Sequence, residues 1–291
     1  MRPLLGLGAV IALVTASVVP YVRNRTGVGI EGGHCLAWPA GTVEYHPSAT
    51  GDPELGEAGF AAIEASVTTW ERQMMVCGNL TMEVGTRSSS RSVGYVDRPG
   101  AGNENLILFR TQDCTQVVPD GDTCQHDGDC GNKYDCWDFA QGTLAITTTN
   151  YDPGTGQMLD ADVELNAASH LFTTVDSPPC TTVDALTCVS IDVQNTVTHE
   201  LGHSLGLAHS PDPRSTMFAG ADLGETSKRT LDDGSVEFVC TAYAAGGPTL
   251  DCDGSPLDLS DSTSSSCAAA PGGPLAVLGV LLLGLRRRGG R

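Results

Sequence analysis

His199-Glu200-Leu201-Gly202-His203-Ser204-Leu205-Gly206-Leu207-Ala208-His209 is the stretch on which the reading of this chain turns. On an α-helix, residues four apart stand one above the other, so the imidazoles of His199 and His203 can aim at one point. Glu200 directly follows the first of them, and its carboxylate can reach a water on a metal held there without ligating the metal itself. That is the place of a general base. Gly206 lets the chain leave the helix through a conformation that residues with a Cβ avoid, and three residues later His209 can bring a third nitrogen. Three neutral imidazoles suit zinc and leave a fourth position for water, whose pKa such a site brings down to about 7. A lone histidine on a helix is more often core or surface than ligand. Three histidines, a glutamate and a glycine at set spacings, in a chain with 7 histidines in all, form a much more specific pattern.

The pattern H-E-x-x-H-x-x-G-x-x-H resembles the signature of the metzincin zinc endopeptidases, which continues into a methionine turn. Within that clan the chain looks most like the matrixins. Ser210 directly follows the third histidine, and Ser210-Pro211-Asp212-Pro213-Arg214-Ser215-Thr216-Met217-Phe218 is similar to that family's short run into its turn. The resemblance implies one catalytic zinc on His199, His203 and His209, with Glu200 as base and Met217 as a hydrophobic floor beneath the metal. Taken alone, Met217 reads as a core methionine. Ala219 stands two residues beyond it, where astacins and serralysins usually carry a tyrosine, and this argues against both. The activity implied is hydrolysis of peptide bonds in extracellular proteins. The alternative is a non-catalytic, metal-binding adhesion module on the same fold; the intact Glu200 speaks against it and the acidic, Cys-rich insertion described below mildly for it.

Earlier in the chain the periodicities order the elements. Trp38 to Tyr45 alternates as a strand, and Phe60, Ile63, Val67, Trp70 and Met74 fall at helical spacing within Ala58 to Met75. Leu80 to Val84 and Leu106 to Phe109 read as strands, the second as an interior one because its apolar run is continuous. This succession is similar to the amino-terminal half of a matrixin catalytic domain. Residues 114–137, with Cys114, Cys124, Cys130 and Cys136 among five aspartates, do not align with the family and read as a disulfide-stapled insertion, calcium binding being the competing reading.

Gly142 to Thr147 resembles the edge strand on which matrixins hold substrate, so Leu144 and Ala145 are expected to offer backbone groups to an extended peptide. Asp160 to Asn166 matches the family's acidic strand. Ile146 and Asp162 stand where matrixins carry histidines for a second zinc, so no structural zinc is expected. Asp160, Asp162 and Glu164 are a candidate calcium set, the alternative being an exposed acidic strand face. Asp192 is placed to cap the helix that carries the first two histidines, and Thr230 to Cys240 reads as a closing helix. The fold expected is α+β, a metzincin-like domain with a twisted, mostly parallel five-stranded sheet, an active-site helix and a small carboxy-terminal subdomain.

The ends and the composition concern location. Residues 1–20 carry an early arginine and a short apolar run closed by small residues, a signal-peptide pattern whose rival reading, a membrane anchor, is opposed by the shortness of the run, and 21–34 form a short segment before the protease domain at 35–245. Eleven cysteines imply an oxidising compartment. Cys180 and Cys188 can close on each other, Cys35 reads as disulfide-bonded, with capping of the zinc before activation as the alternative, and setting Cys267 aside leaves an even ten. Residues 246–266, rich in Gly, Pro, Asp and Ser, read as a disordered tether. The tail 267–291, with Cys267, an apolar run and Arg286-Arg287-Arg288, looks like a sorting tail of myxobacterial type, which implies processing machinery as a partner and a place at the cell surface. A net charge of −19 excludes nucleic acid, whose phosphates need clustered Lys and Arg. Polypeptide substrates are the expected partners, and a monomer the expected state.

Overall fold

A computed structural model of the chain describes residues 21–27, 32–181 and 185–259, together with the backbone of one further strand, Leu275–Leu283. The expected signal peptide at 1–20, Cys267 and the arginine cluster at 286–288 lie outside the described residues.

Strand β1 (Gly41–Pro47), helix α1 (Glu57–Cys77), β2 (Leu80–Val84) and β3 (Asn105–Arg110) come first, followed by three short helices, α2 (Cys114–Val117), α3 (Cys124–Asp127) and α4 (Cys130–Tyr134). Then come β4 (Thr143–Tyr151), β5 (Met158–Asn166), the short strands β6 (Phe172–Thr173) and β7 (Ile191–Asp192), and helix α5 (Val193–Ser204). Beyond it lie β8 (Gly220–Ala221), a 3-10 turn at Ser227–Arg229, α6 (Asp233–Ala242) and β9 (Leu275–Leu283). The strand order is β2-β1-β3-β5-β4-β9-β8. β1 pairs in parallel with β2 and β3, β3 in parallel with β5, and β4 antiparallel to β5. The first five strands are the mostly parallel sheet expected; β9 and β8 extend it to seven.

The period of two in β5 divides the molecule. Ala161, Val163 and Leu165 join Ile107 and Phe109 of β3 and Ile63, Val67, Trp70 and Met74 of α1 in the main core, so one face of the sheet carries both long helices. Asp160, Asp162 and Glu164 point to the other face, where the loop between β2 and β3 covers them. All three are buried, so the exposed acidic face is not what forms. Asp162 accepts from the backbone N–H groups of Gly94 (2.5 Å) and Leu106 (2.8 Å), and Glu164 accepts from Arg110 Nε at 2.6 Å. Arg110 also binds Asp135, as does Arg91, which fastens the loop and the insertion to the sheet. These carboxylates thus have structural partners, and the trio is not among the described groups whose ligand atoms converge.

Ten cysteines form five disulfides: Cys35–Cys252, Cys77–Cys240, Cys114–Cys136, Cys124–Cys130 and Cys180–Cys188. Cys114–Cys136 and Cys124–Cys130 staple the insertion, around which Asp122 accepts from Lys133 and Tyr134. One expectation is corrected here. Residues 246–259 are not a free tether, because Cys252 is bonded to Cys35, Asp251 accepts from the Cys35 N–H at 2.6 Å, and Leu257 is buried in the core. The polar composition conceals this docking, since a covalent bond and backbone hydrogen bonds replace apolar burial.

Candidate metal centre

Helix α5 is buried on every side, an unusual setting for a segment with so many polar residues. Its free ends are satisfied from distant parts of the chain. Asp192 caps the start, accepting from Asn195 N at 2.7 Å, and is held by two bonds from the Arg229 guanidinium at 2.8 and 2.5 Å. The Trp38 indole donates to Ser204 O at 2.7 Å and the Tyr243 hydroxyl to Leu205 O at 2.8 Å. Midway, the Trp70 indole donates to Thr198 O at 2.9 Å. A helix so anchored presents its side chains on a rigid frame.

Gly206 ends this geometry as its position predicts. Its φ is +101°, and a Cβ there would stand 2.2 Å from Leu36 O, so both conformation and space demand glycine. The chain then runs beside the amino-terminal segment, with Asn24 N donating to Gly206 O and Ala208 N to Val22 O, both at 2.8 Å, and arrives at His209.

The three imidazoles meet. His203 Nε2 lies 3.2 Å from His199 Nε2 and 3.1 Å from His209 Nε2. His199 Nδ1 is 2.7 Å from Thr216 O and His203 Nδ1 is 2.7 Å from Leu207 O; a carbonyl only accepts, so both Nδ1 atoms carry the proton. Their Nε2 atoms therefore face each other as lone pairs with no proton between them, an arrangement that a shared cation resolves. Two imidazole nitrogens on one tetrahedral zinc stand about 3.3 Å apart, which matches the spacing seen. The protonation is also right. Burial holds His199 well below its ordinary range, with the neighbouring His203 adding to it, and burial with His209 brings His203 down to about 3. Both are neutral, the form that binds metal.

Glu200 does not join the nitrogens. Its Oε2 accepts from the Thr147 hydroxyl of β4 at 2.6 Å, while its Oε1 is buried with no hydrogen-bond partner among the described residues. Burial pushes its carboxyl up to about 8, against the downward pull of the Thr147 bond and the nearby Lys228 charge. Lys228, buried beside the site, donates to Gly220 O at 2.6 Å and to Glu225 at 3.0 Å. Met217 does lie under the helix: a Cβ on Gly202, between the two helical histidines, would stand 2.2 Å from its sulfur. Neither Thr147 nor Lys228 carries a signal in the sequence. Thr147 is one of four consecutive β-branched residues, Ile146 to Thr149, that fit any strand.

Leu144 and Ala145 lie on β4 next to the site, but the edge expected to be open there is paired. β9 runs antiparallel along it, with Ala145 opposite Leu281, Thr147 opposite Gly279 and Thr149 opposite Val277, and it runs parallel beside β8. The groove between β4 and β8 accommodates an extended backbone in this orientation.

Comparison with known proteins agrees with this geometry. Residues 126–244 match the family model described as Matrixin, a match that begins inside the insertion and ends just past α6. A stretch of 89 residues, 31% of the chain, is 36% identical to a protein described as a probable matrix metalloproteinase of Invertebrate iridescent virus 3. The chain spans about a fifth, 21%, of the length of that curated relative. Together the converging histidines and these matches support a likeness to the matrixin metallopeptidases over the part of the chain that carries the three histidines.

Proposed function

We propose that the chain is an exported zinc endopeptidase that cleaves extended stretches of extracellular proteins, tethered at the cell surface of a bacterium by its carboxy-terminal tail. One observation carries the catalytic part: three imidazole nitrogens converge, and the helix that bears two of them also bears Glu200, whose buried Oε1 has no partner among the described residues. His199, His203 and His209 would hold the zinc. When bound, the ion supplies Lewis-acid polarisation of a carbonyl and a lowered pKa for water. The chain's own groups do the rest. Glu200, whose ionised form a bound cation favours against the effect of burial, takes a proton from the attacking water at Oε1 and returns it to the leaving amine. The carbonyls of Thr216 and Leu207 hold the two helical imidazoles in the ligating tautomer. β4 offers its backbone to the substrate, which adds as a strand in the place that Leu275–Leu283 takes in the free chain. Five disulfides support export, since such bonds persist in oxidising compartments.

The purified full chain, loaded with zinc, should cleave an unstructured protein such as casein and lose that activity to a chelator. Glu200→Gln should bind zinc with unchanged stoichiometry and lose nearly all cleavage. Chelator-insensitive cleavage, or a fully active Glu200→Gln, would sink the mechanism. Zinc bound with no turnover in the wild-type chain would favour an adhesion module instead.

A further inference from the structure

We propose that Thr147 is a positioning residue that decides which oxygen of Glu200 acts as the base. The inference rests on the peptidase reading for its meaning but on geometry for its substance. Thr147 projects from β4 toward α5 and is wholly buried. Its hydroxyl lies 2.6 Å from Glu200 Oε2 and 3.0 Å from the Glu200 main-chain oxygen. A hydroxyl has one proton, and the shorter contact to the carboxylate takes it.

The consequence is an inequivalent pair of oxygens. Oε2 is tied to the strand, and Oε1 is left buried without a partner among the described residues. A buried carboxylate oxygen without a donor is costly, so it is poised to accept from whatever enters the site. Without the hydroxyl, nothing on β4 distinguishes the two oxygens, and the carboxylate can turn about its last torsion, a broad and nearly two-fold one. The same strand carries the second half of the device. Thr147 lies opposite Val163 on one side and opposite Gly279, in the place proposed for substrate, on the other. A peptide held along β4 is therefore in register with the base through a single residue, and the positions of scissile bond and proton acceptor are set together. Lys228 approaches Glu200 as a charge, but its ammonium is spent on Gly220 O and Glu225 and cannot replace the hydroxyl.

Thr147→Val keeps the shape and removes the proton; Thr147→Ser restores it. In the zinc-loaded full chain, Val at 147 should lower kcat about tenfold with KM nearly unchanged, and Ser should recover most of the loss. Zinc content and the thermal midpoint should stay close to wild type, which separates positioning from folding. A second readout needs no turnover. The infrared carboxylate band of Glu200, assigned by its loss in Glu200→Gln, should shift in the Val variant and return in the Ser variant. Unchanged kcat in a folded, zinc-loaded Val variant would overturn the proposal, and so would an equal loss in Ser and Val or a band that does not move. If the wild-type chain cleaves nothing, the peptidase reading fails, and the infrared comparison still decides whether Thr147 holds the carboxylate.

Discussion

Met217 packs its sulfur against the backbone of Gly202, at the place where a side chain on that glycine would begin: an added Cβ would stand 2.2 Å from Sδ and 2.9 Å from Cε. The turn that follows the third histidine thus supports the helix that bears the first two, at a separation that only glycine permits.

Gly202→Ala should therefore push the methionine aside and tilt the two helical imidazoles. We expect a loss of about 1–3 kcal/mol in stability and weaker zinc binding. Gly206→Ala should cost more, because there the clash is with a backbone carbonyl and the φ of +101° is itself unfavourable for alanine. Denaturant unfolding with and without zinc measures both, and equal, negligible effects would contradict the packing described.

The Cys35–Cys252 bond spans 217 residues and Cys124–Cys130 only 6. On the chain-entropy account the first restrains the unfolded state by about 5 kcal/mol and the second by about 2 kcal/mol. Replacing Cys252 with serine in a Cys35→Ser background should lower the thermal midpoint well beyond the corresponding change at 124 and 130, and should open residues 246–259 to proteolytic nicking. Resistance to nicking would show that hydrogen bonds alone hold that segment.

Asp160 and Asp162 are buried together on the covered face of the sheet. Burial pushes Asp160 up to about 6, and burial and the Asp160 charge hold Asp162 well above the usual carboxylate range. Both folded-state values exceed those of the unfolded chain, about 3.9. The pair's stabilising contribution is therefore complete below about pH 4 and is lost as pH rises through about 6, on the order of 3 kcal/mol for Asp160. Asp160→Asn should flatten this part of the profile, so the variant should gain on wild type between pH 4.5 and 7.5 in urea unfolding. A difference that does not change with pH would mean the pair is not strained by its charge.

β9 covers the edge of β4 that the peptidase reading gives to substrate. Donors alternate along an antiparallel ladder, so Gly279→Pro together with Val280→Pro removes at least one of its bonds to β4. In the full chain this pair should raise kcat/KM on a short peptide several-fold, roughly the effect of about 1 kcal/mol of lost pairing, and should speed amide exchange in Thr143–Tyr151. If neither changes, the strand does not compete for the groove.

Much of the fold was legible because its signals are local. The spacing of Phe60, Ile63, Val67, Trp70 and Met74 marks α1, which runs Glu57–Cys77, and the apolar run at Leu106 to Phe109 marks β3 as an interior strand. Gly206 and Asp192 occupy positions at the two ends of α5 that few other residues could fill. Asp160, Asp162 and Glu164 misled, since an acidic alternation looks solvent-facing until Gly94, Leu106 and Arg110 are brought to it. The docked segment around Cys252 misled for a similar reason: its composition shows no core, and its partner lies 217 residues away.

By itself the sequence determined which nitrogens could meet, because helical periodicity and one glycine place His199, His203 and His209 through short-range geometry alone. Only the tertiary structure decided that they do meet, that Glu200 keeps one oxygen bound and the other without a partner among the described residues, and that the groove beside them takes an extended strand. Those outcomes depend on Thr147, Thr216, Met217 and Leu275–Leu283, whose contacts cross long stretches of chain and are set by packing, for which no local pattern of residues is a sign.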